Sequence, residues 1–253
     1  MIQPVTRPAM NLVLFEPGEL GLPLPRNDAR ARHVLEVLRR QTGQSFDAGV
    51  VDGDIGTATI VAQSDDSLRL SFAPVRTPAP LPAITLLIGM ARPQTARDLL
   101  RDATTMGVRA MHFVATERSD RSYAQSSLWT SGEWRRQLLI GAAQAFDTRL
   151  PEVTWSSTLG EQLSTRAAQP GTRVALDNYE ASTRLVTANV SSSAASTAPD
   201  AHVTLAIGPE RGWGPKDRDQ LRDHGYTLAH LGSRVLRVES ACVAALAILS
   251  ARE

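Results

Sequence analysis

From Ile84 onward, apolar runs alternate with helical segments. Ile84–Met90 is apolar almost throughout, as a strand buried on both faces of a parallel sheet requires. Thr95–Met106 carries Leu99, Leu100, Ala103 and Met106 on one helical face, with Gly107 as its stop. Ala110–Ala115 reads as a second strand and Glu133–Phe146 as a second helix. Arg173–Asp177, Val203–Ile207 and Tyr226–Leu231 read as further strands, and Ser240–Leu249 as an alanine-rich closing helix. Strands alternating with helices imply an α/β domain around a mostly parallel sheet.

The first third has a different rhythm. Asn11–Phe15 is a short β-prone run ended by Pro17-Gly18. Arg30–Arg40 fits a short helix through Val34, Leu35 and Leu38. Ser45–Val51, Gly56–Ala62 and Leu68–Phe72 read as strands, with hairpin turns at Asp52-Gly53-Asp54 and Ser64-Asp65-Asp66. Pro74, Pro78, Pro80 and Pro82 then mark a stiff extended stretch. The expected division is a small β-rich domain over 1–73, a proline-rich linker over 74–83 and the α/β domain over 84–253. Thr187–Ala201, rich in Ser, Ala and Thr, reads as a flexible loop.

Of the 253 residues 42% are hydrophobic and 21% charged, which excludes wholesale disorder. No stretch reaches the ~18 apolar residues of a membrane span, and the first residues show no secretory signal. Cys242 is the only cysteine and the five histidines are scattered, so neither a disulfide nor a metal site is expected. A cytoplasmic setting is the default. The net charge of +1 does not mark a nucleic-acid binder, but its distribution is uneven. Residues 26–40 carry a local net of +3, through Arg26, Arg30, Arg32, Arg39 and Arg40 against Asp28 and Glu36. Residues 41–66 hold five aspartates and no basic residue.

Two segments stand out. Ile207-Gly208-Pro209-Glu210-Arg211-Gly212-Trp213-Gly214-Pro215 follows an apolar strand and opens a helix, with Pro215 first, Asp217 in the first turn and Gly225 past the end. In parallel α/β proteins ligands sit at the carboxyl ends of strands. The spacing matches neither a dinucleotide fingerprint nor a P-loop, and an ordinary strand-to-helix turn is an equal reading. Leu231 to Ala241, LGSRVLRVESA, also joins a strand to a helix. Its charges are read either as a site or as surface pairs, Arg237 with Glu239 or Arg234 with Glu210, worth little energetically.

Together these segments resemble the last two signature loops of the 16S ribosomal RNA uridine-N3 methyltransferases, a branch of the SPOUT methyltransferases. That family reads G-P-E-G-G after one strand and L-G-x-R-[IV]-L-R-x-E-T-A after the next; here they are GPERG and LGSRVLRVESA. Arg32-His33-Val34 through Val37-Leu38-Arg39, then Gly43, resemble the family's PUA-like N-terminal domain. Met106-Gly107-Val108 with Glu117-Arg118 resembles its L-G-V…S-E-R stretch. Asp102 and Thr105 replace a usual lysine and glutamate, and Ala143-Gln144-Ala145-Phe146-Asp147 replaces E-Q-[SC]-G-R. The cofactor loops are thus kept better than the stretches expected to face RNA, and a paralogue with another target is the alternative. A noncatalytic RNA-binding or ribosome-assembly factor is a third reading. The true start, Met1 or Met10, stays open.

The resemblance implies a SPOUT-type, trefoil-knotted, mostly parallel α/β sheet domain preceded by a small β-rich PUA-like domain. It implies S-adenosyl-L-methionine bound through Leu176, Gly208, Glu210, Gly212, Leu231, Gly232 and Leu236. Trp213 is a packing residue or a pocket wall. The partners implied are 16S rRNA or the 30S subunit, and a second copy of the chain through Ala241, Ala244, Ala245 and Ala247; no membrane and no metal is expected. Arg237 is the first candidate to stabilise charge developing on the uracil, and Arg234 the second. Glu239 or Glu210 would orient an arginine or take a proton. Arg30, Arg32, Arg39 and Arg40 are the candidates for RNA phosphates.

Overall fold

The computed structural model describes residues 12–188 and 202–251. The expected loop over Thr187–Ala201 therefore falls almost wholly outside the described residues, as do both candidate start methionines. The chain divides into two compact units: residues 1–80 with 142–150, and residues 81–141 with 151–253.

The first unit is a curled five-stranded sheet. Its strands are β1 (Val13–Phe15), β2 (Leu24–Pro25), β3 (Ser45–Val50), β4 (Ile55–Gln63) and β5 (Ser67–Arg76), in the order β1-β3-β4-β5-β2. Only β1 and β3 pair in parallel; the remaining pairs are antiparallel. Both hairpins turn where the Asp-Gly-Asp and Ser-Asp-Asp signals stand. Strand β5 pairs on through Pro74 to Arg76, so the extended stretch is shorter than the 74–83 expected from its prolines. Phe15, Phe46, Ala48, Ile60 and Leu68 pack against Ala31 and Val34 as the core.

Ala31 lies on α1 (Ala29–Arg32), which Asp28 caps by accepting the Arg30 amide at 2.7 Å, and Val34 on the turn that follows it. A wider π-type turn continues it over His33–Val37. The helix stops there rather than at Arg40, because Arg39 takes a left-handed conformation (φ 53°) and the Arg40 amide folds back onto the Val34 carbonyl. Residues 142–150 return to this unit. The Thr148 hydroxyl donates to the Gly53 carbonyl and the Arg149 guanidinium to the Asp52 carbonyl at 2.8 Å, securing the β3–β4 turn.

The second unit is an all-parallel seven-stranded sheet. Its elements are β6 (Ile84–Gly89), α2 (Pro93–Thr105), β7 (Ala110–Ala115), α3 (Ser127–Thr130), α4 (Glu133–Ala145), β8 (Glu152–Thr158), α5 (Leu159–Arg166), β9 (Thr172–Leu176), β10 (Thr183–Arg184), β11 (Val203–Ile207), α6 (Pro215–Asp223), β12 (Thr227–His230) and α7 (Val238–Ser250). The strand order is β10-β12-β9-β11-β6-β7-β8. Central β6 is buried along its whole length, as its apolar run requires. Helices α5 and α6 cover one face through Leu159, Leu163 and Leu221 against Leu87, Val114, Ala175 and Ala206. Helices α2 and α7 pack on each other. Ala245 of α7 is buried in this chain's own core, which removes it from the alanines expected to meet a second copy.

The candidate cofactor cleft

Three neighbouring strands, β9, β11 and β12, end on the same side, and the loops that follow them converge. The cleft between them is lined by Leu176–Tyr179 after β9, Ile207–Glu210 with Gly212 and Trp213 after β11, and Leu231, Arg234–Leu236, Val238 and Ala241 after β12. The chain leaving β12 at the far side of β9 thus comes back across the strand ends before α7 packs on α2.

The second loop is held tightly. Gly89 at the end of β6 has no room for a Cβ, because Pro209 lies against it. Gly212 turns at φ +66° while its amide donates to the Pro209 carbonyl at 2.7 Å, a conformation that disfavours any side chain. Trp213 is 1% exposed, and its indole N–H donates to the Leu176 carbonyl at 2.9 Å. It is both core and cleft wall. The Asp217 carboxylate accepts the Gly214 amide at 2.8 Å, fixing the start of α6. Burial pushes the Asp217 carboxyl up.

The first loop is organised by Asp177, which the sequence reading passed over because no glycine marks that turn. Its carboxylate accepts the Tyr179 and Glu180 amides at 2.8 and 2.6 Å and the Arg218 Nε–H at 2.8 Å. Burial alone would raise its pKa; the Glu180 amide, the Arg218 guanidinium and the Tyr179 amide outweigh it and hold the carboxyl below the usual range. The Arg218 guanidinium in turn lies 5.3 Å from the centre of the Tyr179 ring.

The third loop is open: Ser233 to Arg237 are all exposed, Val235 at 80%. Neither expected surface pair forms, since Arg234, Arg237 and Glu239 make no ion pair among the described residues. Glu210 instead accepts the Arg92 amide at 3.0 Å. Arg234 lines the cleft; Arg237, Glu239 and Gly232 do not. Leu236 and Val238 both line it, whereas Arg237 between them, at the N-cap of α7 (φ −64°, ψ 154°), does not.

Elsewhere, Arg30 is turned to Glu19 and Asp28 (2.5 and 2.8 Å) and is engaged within the protein. Arg32 and Arg39 are exposed, and Arg40 is half-buried. The departures at Thr105 and Asp147 have local structural partners. Thr105 donates to the Gly141 carbonyl, and Asp147 accepts the Thr148 and Arg149 amides.

The enclosed part of the cleft is small, about 90 Å³, and it opens along the exposed third loop. Its lining combines apolar side chains and backbone of glycine turns with Asn178, one guanidinium, Arg234, and two carboxylates, Asp177 and Glu210. That set fits an adenine ring and a short zwitterionic chain better than a pyrophosphate, which needs converging amides and cations.

Comparison with known proteins agrees with this geometry. A family model described as an RNA methyltransferase domain matches residues 77–250. A ribosomal RNA small subunit methyltransferase E of Treponema pallidum is 33% identical, the match covering 96% of this chain and 91% of that protein. A methyltransferase E 1 of Borreliella burgdorferi is 24% identical over 96% and 98%. Among solved structures, a small subunit methyltransferase E of Neisseria gonorrhoeae bound to S-adenosyl methionine superposes with TM-score 0.71 at 21% identity, covering 96% of this chain and 98% of that one. A methyltransferase of Legionella pneumophila, also solved with that cofactor, gives 0.74 at 23% identity, over 95% and 98%. With the SPOUT-type fold and its signature loops in place, the chain belongs to the RNA methyltransferase family, among the ribosomal RNA small subunit methyltransferases E.

Proposed function

We propose that this protein transfers a methyl group from S-adenosylmethionine to N3 of a uridine in 16S ribosomal RNA. The observation that carries the reading is the convergence of the Gly208–Gly212 and Leu231–Leu236 loops at the ends of β11 and β12, the parallel strands on either side of β9. When bound there, S-adenosylmethionine supplies an electrophilic methyl group. The protein's own task is alignment and charge. Backbone of the three loops, with Leu176, Leu231 and Leu236, would hold the adenosine, and Gly212 would let the backbone approach closely.

Uracil N3 carries a proton at neutral pH, and its loss leaves negative charge on N3 and the flanking carbonyl oxygens. A guanidinium poised beside it lowers the barrier, because the charge grows only in the transition state. Arg234 and Arg237 are the two unpaired candidates. Arg234 serves within the cleft. Arg237, outside its lining, meets the RNA or a second copy of the chain. A homodimer through the outward side of α7, where Val243 is exposed, would place Arg237 at the junction. Arg32 and Arg39 add phosphate contacts from the first unit, and the 30S subunit or free 16S rRNA is the substrate.

Incubation of unmethylated 16S rRNA and of 30S subunits with the protein and S-adenosylmethionine, followed by nucleoside mass spectrometry, tests this. The expected product is 3-methyluridine at one position. Methylation of another atom or of another RNA points to a paralogue, and cofactor binding without transfer to any RNA overturns the enzymatic reading.

A further inference from the structure

A second cleft lies across the Glu210–Arg211 turn, wholly within the second unit. It is larger, about 660 Å³, and is lined by Arg92, Arg118, Arg121 and Arg211, with Tyr123 and Ser119. It also contains Glu117, Asp120 and Glu210. We infer that this cleft seats the RNA strand beside the target nucleotide, its arginines taking backbone phosphates and Tyr123 taking a flanking base. The inference deepens the proposed function and rests on it for the identity of the strand.

The pairing pattern is the first reason. Four other arginines of this unit are ion-paired: Arg97 with Glu133, Arg101 with Asp98 and Asp102, Arg218 with Asp177, and Arg222 with Glu180. Arg166 and Arg173 are instead engaged by backbone carbonyls, and Arg234 and Arg237 make no ion pair among the described residues. None of the four cleft arginines makes an ion pair among the described residues, although three carboxylates are close. Each carboxylate is turned to other donors. Glu117 accepts the Lys216 amide, Glu210 the Arg92 amide, and Asp120 the Ser122 amide and hydroxyl. The guanidiniums of Arg92, Arg121 and Arg211 therefore keep their forks free among the described residues, and a fork matches a phosphate bidentately.

Rigidity and position are the second reason. Arg118 donates to the Arg211 carbonyl at 2.9 Å, tying the β7 end to the cofactor loop. Glu210 lines both clefts. A strand whose base enters the first cleft would pass its neighbouring phosphates over the second. Tyr123, half-buried on its 3₁₀ turn, offers the ring face on which single-stranded bases stack.

The test uses Arg92→Gln, Arg121→Gln and Arg211→Gln combined, three exposed residues whose side chains make no hydrogen bond or ion pair among the described residues. The probes are in vitro transcribed 16S rRNA for filter binding across a salt series and S-adenosylmethionine for calorimetry. The triple variant is expected to weaken RNA binding at least tenfold, to lower the salt slope by about 0.7 per lost contact, and to bind the cofactor as the wild type does. In turnover, KM for RNA should rise while kcat stays within about threefold. A Tyr123→Ala variant should lose affinity without changing the slope, and Tyr123→Phe should retain it. If the wild type binds RNA and the triple variant matches it in affinity and slope, the inference is overturned; the same holds if the wild type does not bind RNA. A wild type that binds RNA in this arginine-dependent way but transfers no methyl group sustains the cleft and overturns the proposed reaction.

Discussion

The Trp213 indole N–H donates to the Leu176 carbonyl at 2.9 Å, joining the loop after β11 to the end of β9, with the tryptophan buried. One side chain thus sets the distance between two walls of the cofactor cleft. Trp213→Phe removes the donor but keeps a large ring. The orphaned carbonyl costs about 1–3 kcal/mol, and the smaller ring loosens the wall. The expected result is a lower denaturation midpoint together with weaker cofactor binding by calorimetry. Unchanged cofactor affinity in a folded variant would make Trp213 core only.

Asp177 and Arg218 form the other buried link, at 2.8 Å with each residue 4% exposed. Asp177→Asn leaves the guanidinium facing only the half-exposed Glu180, at 3.5 Å, and should destabilise the fold by about 3 kcal/mol. Replacing both partners with apolar residues of similar volume should cost less, and a double-mutant cycle in urea measures the difference. Because the folded carboxyl titrates below its usual range, its contribution is present at neutral pH and is lost only as pH falls through that depressed value.

Much of this architecture is legible in the chain, and the failures have identifiable causes. Ala110–Ala115 and Val203–Ile207 are strands to the residue, since a strand buried on both faces must be continuously apolar. Strand β8 escapes that signal: it lies at the sheet edge, and Glu152, Ser156 and Thr158 face water. Its partial cover is aromatic, Trp155 stacking on Trp129 at 5.1 Å. Helix α5 shows only Leu159 and Leu163 inward, but its capping box, Thr158 with Glu161, was a readable start. At the site, the glycine turns were visible because conformation demands glycine there. Asp177 was not, because its value depends on amides and an arginine that folding brings to it. That Arg234 lines the cleft and Arg237 does not depends on the path of the loop, which spacing alone does not convey.

His112, in the middle of β7 and 2% exposed, predicts a pH dependence of stability. Arg166 can only donate, so Nε2 accepts from it at 2.5 Å and Nδ1–H donates to Thr154 at 2.8 Å. Burial, reinforced by the Arg166 charge, lowers the imidazole from 6.5 to about 4. Between these values the unfolded chain takes a proton that the folded one refuses, so acid favours unfolding. Stability should fall by about 2 kcal/mol from pH 7 to pH 5. His112→Gln should flatten that part of the profile in urea titrations. A wild-type profile level over this range would mean that His112 titrates normally.

Arg237 separates a structural loop from a catalytic one. Its carbonyl accepts the Ala241 amide at 2.8 Å, opening α7, while its guanidinium has no ion-pair partner among the described residues. Arg237→Ala keeps the backbone bond, so stability should change by less than ~1 kcal/mol. If the guanidinium stabilises charge on the uracil, turnover should fall about 100-fold with cofactor affinity unchanged, since its contribution appears only in the transition state. Arg237→Lys should recover part of the rate, because one ammonium does not reproduce the planar fork. Single-turnover methylation at saturating cofactor reads the chemical step directly. Because Arg237 does not line its own cleft, mixed dimers give a sharper result if the protein forms the proposed homodimer. Pairing Arg237→Ala with a subunit whose cofactor site is blocked by Gly212→Val leaves one competent cleft. If Arg237 acts across the dimer, that cleft faces the intact Arg237 of the Gly212→Val subunit and works at the wild-type single-site rate. If it acts within its own chain, the same cleft is as slow as the Arg237→Ala homodimer.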